Sequence, residues 1–165
     1  MMDRKLKFKQ AFSLTEIMLV LAIMAILSGL LQVNIKARRQ EAEIKNIVEC
    51  VKIYEATVQM YYLHNNGAFP SITNGAKLES IDALERFRPV NFNTDNLIKS
   101  GSCSGLAYYI SGTKIGIKIT FNANTTKFRD KIVKVLKQNC IESQVSYGTT
   151  YIYYYLRDNS GVVYI

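Results

Sequence analysis

The chain has 165 residues, a formal net charge of +8 and 48 % hydrophobic residues, with 11 Tyr, three Cys, one His and no Trp. That length allows one modest domain. With no CxxC pair, no Cys/His cluster and His64 as the lone histidine, paired-cysteine zinc sites and most histidine-dependent catalysis are excluded.

The N-terminus opens with four basic residues, Arg4, Lys5, Lys7 and Lys9, and then turns apolar. Ile17 to Ile35 carries no charge and no Pro, and at helical rise these nineteen residues span roughly 28 Å, close to the hydrocarbon thickness of a bilayer. The stretch predicts a membrane-spanning helix. Leu30-Leu31-Gln32-Val33-Asn34-Ile35 is a poor cleavage site, which argues against a secretory signal peptide. Glu16 stands at the edge of the run. A carboxylate there benefits from the helix dipole, although a charge deeper in the bilayer costs about 2.5–3.5 kcal/mol.

The helix is expected to continue, because residues 36–65 hold no Gly or Pro. Ile44, Ile47, Val48, Val51, Tyr54, Val58, Tyr61 and Tyr62 recur at amphipathic spacing, opposite Glu41, Lys45, Glu49, Lys52 and Gln59. Ile53 and Met60 fall off that stripe, as isolated exposed residues or as a seam for a neighbouring subunit. Asn65-Asn66-Gly67 reads as the stop, followed by Phe69-Pro70.

Beyond it, residues 76–86 predict a short helix with Leu78, Ile81 and Leu84 inward, residues 94–99 another turn, and residues 101–105 a loop. Strands are expected at 106–110 and 114–121, joined by Ser111-Gly112-Thr113; in the second, Ile115, Ile117, Ile119 and Phe121 share one face. Residues 126–139 predict a helix with Phe128, Ile132, Val135 and Leu136 inward. Residues 149–156 predict a strand with Tyr151, Tyr153 and Tyr155 on one face, and a turn at 158–161 leads to a last strand at 162–165. The fold class is α+β: a long N-terminal helix, half of it transmembrane, packed on a small antiparallel sheet. The expected organisation is a basic leader (1–11), a transmembrane half-helix (12–35), an exported half-helix (36–66) and a globular head (67–165).

Few residues suggest chemistry. Gly101-Ser102-Cys103-Ser104-Gly105 has nucleophile-elbow spacing, but the strand–turn–helix setting of that motif is missing. His64 in the last helical turn suits the dipole. Asp158 alone is thin support for calcium. Lys127, Lys131 and Lys134 share the outer face of the late helix, either as a solvated surface or as a basic patch for phosphates. Cys50, Cys103 and Cys140 allow three single bridges, or none.

The basic leader, Ala11, then Phe12-Ser13-Leu14-Thr15-Glu16 and the apolar helix resemble the N-terminus of type IV prepilins and type II secretion pseudopilins. The resemblance implies a pilin-like fold, no enzymatic activity, no cofactor and no metal. It implies cleavage by prepilin peptidase between Ala11 and Phe12, methylation of the new Phe12 amine, and pairing of Glu16 with that amine on a neighbouring subunit. Ala11 replaces the usual Gly, and Val33 the usual Pro. The leader's four basic residues and Asp3 account for +3, leaving +5 on the mature chain. The implied partners are the peptidase, other pilin or pseudopilin subunits and the inner-membrane assembly platform. The implied location is the cytoplasmic membrane, with the N-terminus in the cytoplasm, and then a periplasmic or cell-surface filament. Many pilins close a C-terminal loop with a disulfide, which favours Cys103–Cys140. Alternative readings are a minor pilin that captures DNA or a surface, and an anchored exoplasmic domain that never polymerises.

Overall fold

The computed structural model describes residues 13–94, 103–122, 126–158 and 160–164. Helix α1 runs over Leu14–His64. The chain divides into two compact units, 1–39 and 40–165, and α1 contributes to both. In the first unit every described side chain of α1 is exposed. In the second, the amphipathic stripe is buried: Ile44, Ile47, Val48, Cys50, Val51, Tyr54 and Val58 all join one hydrophobic cluster. The helix stops where the sequence proposes. The Gly67 N–H bonds back to the Tyr62 carbonyl at 2.9 Å, while Asn66 and Gly67 take φ of 52° and 81°. A left-handed residue followed by this long reach back caps the orphan carbonyls of the last turn.

The rest of the second unit is a four-stranded antiparallel sheet, β1 (Cys103–Ser111), β2 (Lys114–Phe121), β3 (Val145–Tyr147) and β4 (Tyr151–Arg157), in the order β1-β2-β4-β3. Helix α2 (Thr126–Gln138) lies between β2 and β3 in the chain. Alternation governs the sheet: Ile115, Ile117, Ile119 and Phe121 are buried on β2, and Ile152, Tyr154 and Leu156 on β4. Helix α2 buries Phe128, Ile132, Val133 and Leu136. The expected Val135 is only partly buried, and Val133 takes the inward place.

Tyr54 ties three elements together. Its ring is fully buried; its hydroxyl accepts the Leu78 N–H at 2.7 Å and donates to the Leu106 carbonyl at 3.4 Å. Glu55, one residue on, accepts the Tyr154 hydroxyl on both carboxylate oxygens at 3.1 Å. Burial pushes the Glu55 carboxyl above its usual range, against the opposing pull of the Tyr154 hydrogen bond and of Lys52.

Several expectations are corrected. The helix expected at 76–86 is two 3-10 turns, Leu78–Ser80 and Asp82–Phe87, split by extended Ile81. Leu78, Ile81 and Leu84 are buried as expected, and their spacing of three suits three residues per turn better than 3.6. Arg88 also draws off the Leu78 and Glu79 carbonyls, at 3.3 and 2.7 Å, and so removes acceptors from an α-helical ladder. The loop expected at 101–105 is partly strand: β1 begins at Cys103 and carries an irregularity between Cys103 and Gly105. β3 went unforeseen, since three residues are too short to show a period. The expected last strand is a single bridge between Arg157 and Val163. Its turn is held instead by Asp158, whose carboxylate accepts the Ser160 and Val162 N–H groups and the Tyr164 hydroxyl at 2.8–3.0 Å. The turn expected at 94–99 lies outside the described residues after Thr94.

The bridge between Cys103 and Cys140 is not formed, and all three cysteines are free. The Cys103 thiol turns along the sheet to the Thr120 carbonyl at 3.3 Å, and the Cys140 thiol closes back on the Leu136 carbonyl at 2.9 Å. The Cys103 sulfur is thus engaged by the neighbouring strand and the Cys140 sulfur by the last turn of α2.

Three outcomes follow for solution work. Tyr54→Phe strips a buried N–H and a buried carbonyl of their partner and should cost about 1–3 kcal/mol, read as a lower thermal midpoint. Maleimide labelling of the native protein should reach Cys140 alone, with Cys50 and Cys103 reacting only after denaturation; a 103–140 linked peptide in non-reducing mapping would contradict the free thiols. Because the folded state holds Glu55 protonated to higher pH than the unfolded chain, its contribution to stability is complete below the ordinary carboxyl value of 4.5 and is lost as pH rises through the raised value. Glu55→Gln should therefore flatten the stability profile just above that pH, measured by urea denaturation across a pH series.

Candidate functional site

Of the sequence-predicted assembly residues, Ala11 and Phe12 lie outside the described residues, and Glu16 is placed in the first turn of α1. There it forms a capping box. The Ser13 hydroxyl accepts the Glu16 N–H at 3.2 Å, and a Glu16 carboxylate oxygen accepts the Ser13 N–H at 2.8 Å. Two N–H groups without helical partners are satisfied reciprocally. Thr15 adds a 2.7 Å contact to the Ser13 hydroxyl. The role of Ser13 is legible as Ser-x-x-Glu before an apolar run, although Glu16 draws the eye as an isolated charge. One Glu16 oxygen is thus engaged within its own chain.

The apolar run after Glu16 has no cover in its own unit. Its described large apolar side chains between Leu14 and Ile35 are 47–75 % exposed. An 18-residue window of α1 reaches a mean hydropathy of 2.4 with none of it buried. A bare surface of this kind needs lipid or other apolar helices around it.

In the second unit, Lys127, Lys131 and Lys134 are all exposed on α2. Lys131 and Lys134 line a groove of about 720 Å³ between α2 and α1, floored by Ile44, Val48 and Val135. Lys45 and Lys52 join them, but so do Glu41 and Glu49. The groove is therefore mixed in charge rather than a continuous track for phosphates, and Lys127 lies outside it. The α1 contribution is readable as the outer face of the helix; its meeting with α2 is tertiary.

Nucleophilic chemistry finds no support in the cysteines. Burial, ahead of nearby carboxylates, pushes the Cys50 thiol up to about 12. Burial likewise pushes Cys103 up to about 11, although the Gly105 carbonyl contact and Glu43 also act on it. A buried neutral thiol is inert as a nucleophile. His64 meets the Arg86 guanidinium at 3.5 Å and the edge of Phe87, with ring centroids 5.6 Å apart. No acid or hydroxyl completes a triad there among the described contacts. Among the described residues no group of three or more His, Cys, Asp or Glu is placed to hold a metal ion.

No protein-family model matches the chain, and no solved structure matches it significantly. A curated relative does: the type II secretion system core protein G of Pectobacterium carotovorum subsp. carotovorum, 29 % identical over 91 residues. The match covers 55 % of this chain and 58 % of that protein, a little over half of each. The long apolar-headed helix and the antiparallel sheet make a pilin-like α+β arrangement, and over those 91 residues the sequence is similar to a core protein of the type II secretion system.

Proposed function

We propose that the chain is a structural subunit of a type II secretion or type IV pilus-like filament. It is held in the inner membrane by the first part of α1, cut by prepilin peptidase between Ala11 and Phe12, methylated on Phe12 and polymerised through its apolar helix. The partners in this reading are further pseudopilin subunits and the membrane assembly platform. The observation that carries it is the uncovered apolar surface from Leu14 to Ile35, headed by a single carboxylate at Glu16. Before assembly lipid covers that surface; in a filament neighbouring helices cover it. When the helices leave lipid for each other, Glu16 also leaves the headgroup region and needs a cation. The Phe12 amine freed by cleavage on a neighbouring subunit supplies it. One carboxylate oxygen stays on Ser13 while the other faces the amine, so the same side chain caps its own helix and sets the stagger of the next.

The alternative is a membrane-anchored domain that does not polymerise, in which Glu16 is a cap and nothing more. Two substitutions separate the readings. Gln at this position of a capping box can still reach the Ser13 N–H but carries no charge, whereas Ala loses both functions. In a filament, Glu16→Gln and Glu16→Ala should both leave the amine buried and unpaired, a loss of about 3–5 kcal/mol per contact. Sheared filament yield or substrate secretion should then fall at least ten-fold, with membrane levels of the protein unchanged by immunoblot. Normal assembly by Glu16→Gln would leave only the capping role. Mass spectrometry of the mature protein should find methylated Phe12 at its N-terminus; an intact Met1 in a peptidase-positive host would remove the processing step.

A further inference from the structure

The inner face of the sheet is spent on the core, and its outer face carries a pattern the core does not require. On the outer face of β4, Tyr151 and Tyr153 are half-buried and Tyr155, in line with them, is buried, while Ile152, Tyr154 and Leu156 are buried on the core side. An outward sheet face ordinarily carries polar residues. Here a fourth tyrosine joins from β1. Tyr109 is registered opposite Gly116 of β2, and Gly116 is opposite Tyr155 of β4. With no side chain on the middle strand at that level, Tyr109 reaches across β2. Its ring lies 4.3 Å from Tyr153 and 6.5 Å from Tyr155, and Tyr151 and Tyr153 are 4.8 Å apart. A Cβ at Gly116 would overlap the Tyr154 carbonyl, so the gap is built into the strand pairing.

Two ammonium groups sit among these rings. Lys114 lies 5.0 Å from the Tyr155 ring centre, and Lys118 lies 5.8 and 5.9 Å from those of Tyr151 and Tyr153. The four strands contain no Asp or Glu. The charges on this face are therefore of one sign, which disfavours a second copy docking through the same face and favours a polyanion.

We propose that this face, centred on Tyr109, Tyr151, Tyr153 and Lys118, is a binding platform for single-stranded nucleic acid. Unpaired bases stack on the exposed parts of the rings, and phosphates take the lysine ammonium groups at their rim. The rings are already packed on one another, so little side-chain freedom is lost on binding. A duplex fits poorly: its bases are inaccessible, and its phosphates alone would meet only two lysines. Because every base has a stacking face, the platform reads little sequence. This inference goes beyond the filament reading and does not depend on it.

The test is fluorescence anisotropy of a fluorescein-labelled oligothymidylate titrated with the full chain in detergent micelles, unassembled, so that filament formation does not enter. Wild type should bind the oligomer, and more tightly than a duplex of equal length. Tyr153→Leu keeps a strand-compatible apolar side chain and should weaken binding roughly ten-fold or more. Lys118→Gln should lower the slope of log affinity against log salt by about 0.7. Tyr147→Leu, away from the platform beside α2, should bind as wild type does. Circular dichroism confirms folding of each variant, and Tyr151→Leu replaces Tyr153→Leu if the latter misfolds. The proposal is overturned if wild type fails to bind at low salt, if folded tyrosine variants bind unchanged, or if polyglutamate or the duplex binds equally well. Equal binding by polyglutamate would mark the face as one for acidic proteins, and equal binding by the duplex would mark it as a charge patch alone.

Discussion

One stripe of α1 has to satisfy most of the second unit. Ile44, Ile47, Val51, Tyr54 and Val58 are nearly or fully inaccessible, and they share a cluster with the buried residues of β1, β2, β4 and α2. A four-stranded sheet with one apolar face is not stable alone, so it must be covered. The helix is also the element that carries the uncovered apolar run, so its later turns act as core while its earlier turns offer surface. The position of the polar ties follows from this arrangement. Once Tyr54 is buried, its hydroxyl must be paired, and the Leu78 N–H and Leu106 carbonyl both use it. Loss of the stripe would therefore expose the sheet and unpair the backbone of two further segments at once.

The same need for pairing governs the two carboxylates that matter most on α1. Glu55 is half-buried against Tyr154 and is held toward its neutral form. Glu16 is exposed, and it spends one oxygen on the N–H of Ser13. A charge at the head of an apolar helix is tolerable when it completes the helix end, because the cap removes an orphan donor that lipid could not satisfy. Capping engages one oxygen of this carboxylate, and the subunit pairing proposed above asks for the other.

The sheet shows how a fold can present an unspent face. Packing on α1 and α2 uses the inward residues and leaves the tyrosines and lysines of the outward face to each other. Their spacing across strands is set by the pairing of β1, β2 and β4 and by the missing side chain at Gly116. A cluster of mutually tilted tyrosine rings with interspersed ammonium groups is thus a by-product of register.

The sequence by itself determined the long helix, its apolar and amphipathic parts, its stop at Asn65-Asn66-Gly67 and the alternation of β2 and β4. These features repeat with the period of their own backbone and need no distant partner to be recognised. The buried stripe from Ile44 to Val58 belongs to the same class of signal, and Ser13-x-x-Glu16 is legible as a local cap motif. Tertiary structure alone decided the split of residues 78–87 into 3-10 turns, because Arg88 and Tyr54 claim backbone groups there from outside the segment. It alone decided the short β3, whose hydrogen bonds depend on β4 lying beside it. The free thiols of Cys103 and Cys140 belong here too: spacing allowed the pair, but the Cys103 sulfur meets the Thr120 carbonyl of the neighbouring strand and the Cys140 sulfur, just past α2, meets the Leu136 carbonyl. The aromatic platform is the clearest case. Three of its tyrosines are visible in one strand, but Tyr109 and the lysines reach them only through strand order, and strand order is fixed by which faces the core must bury.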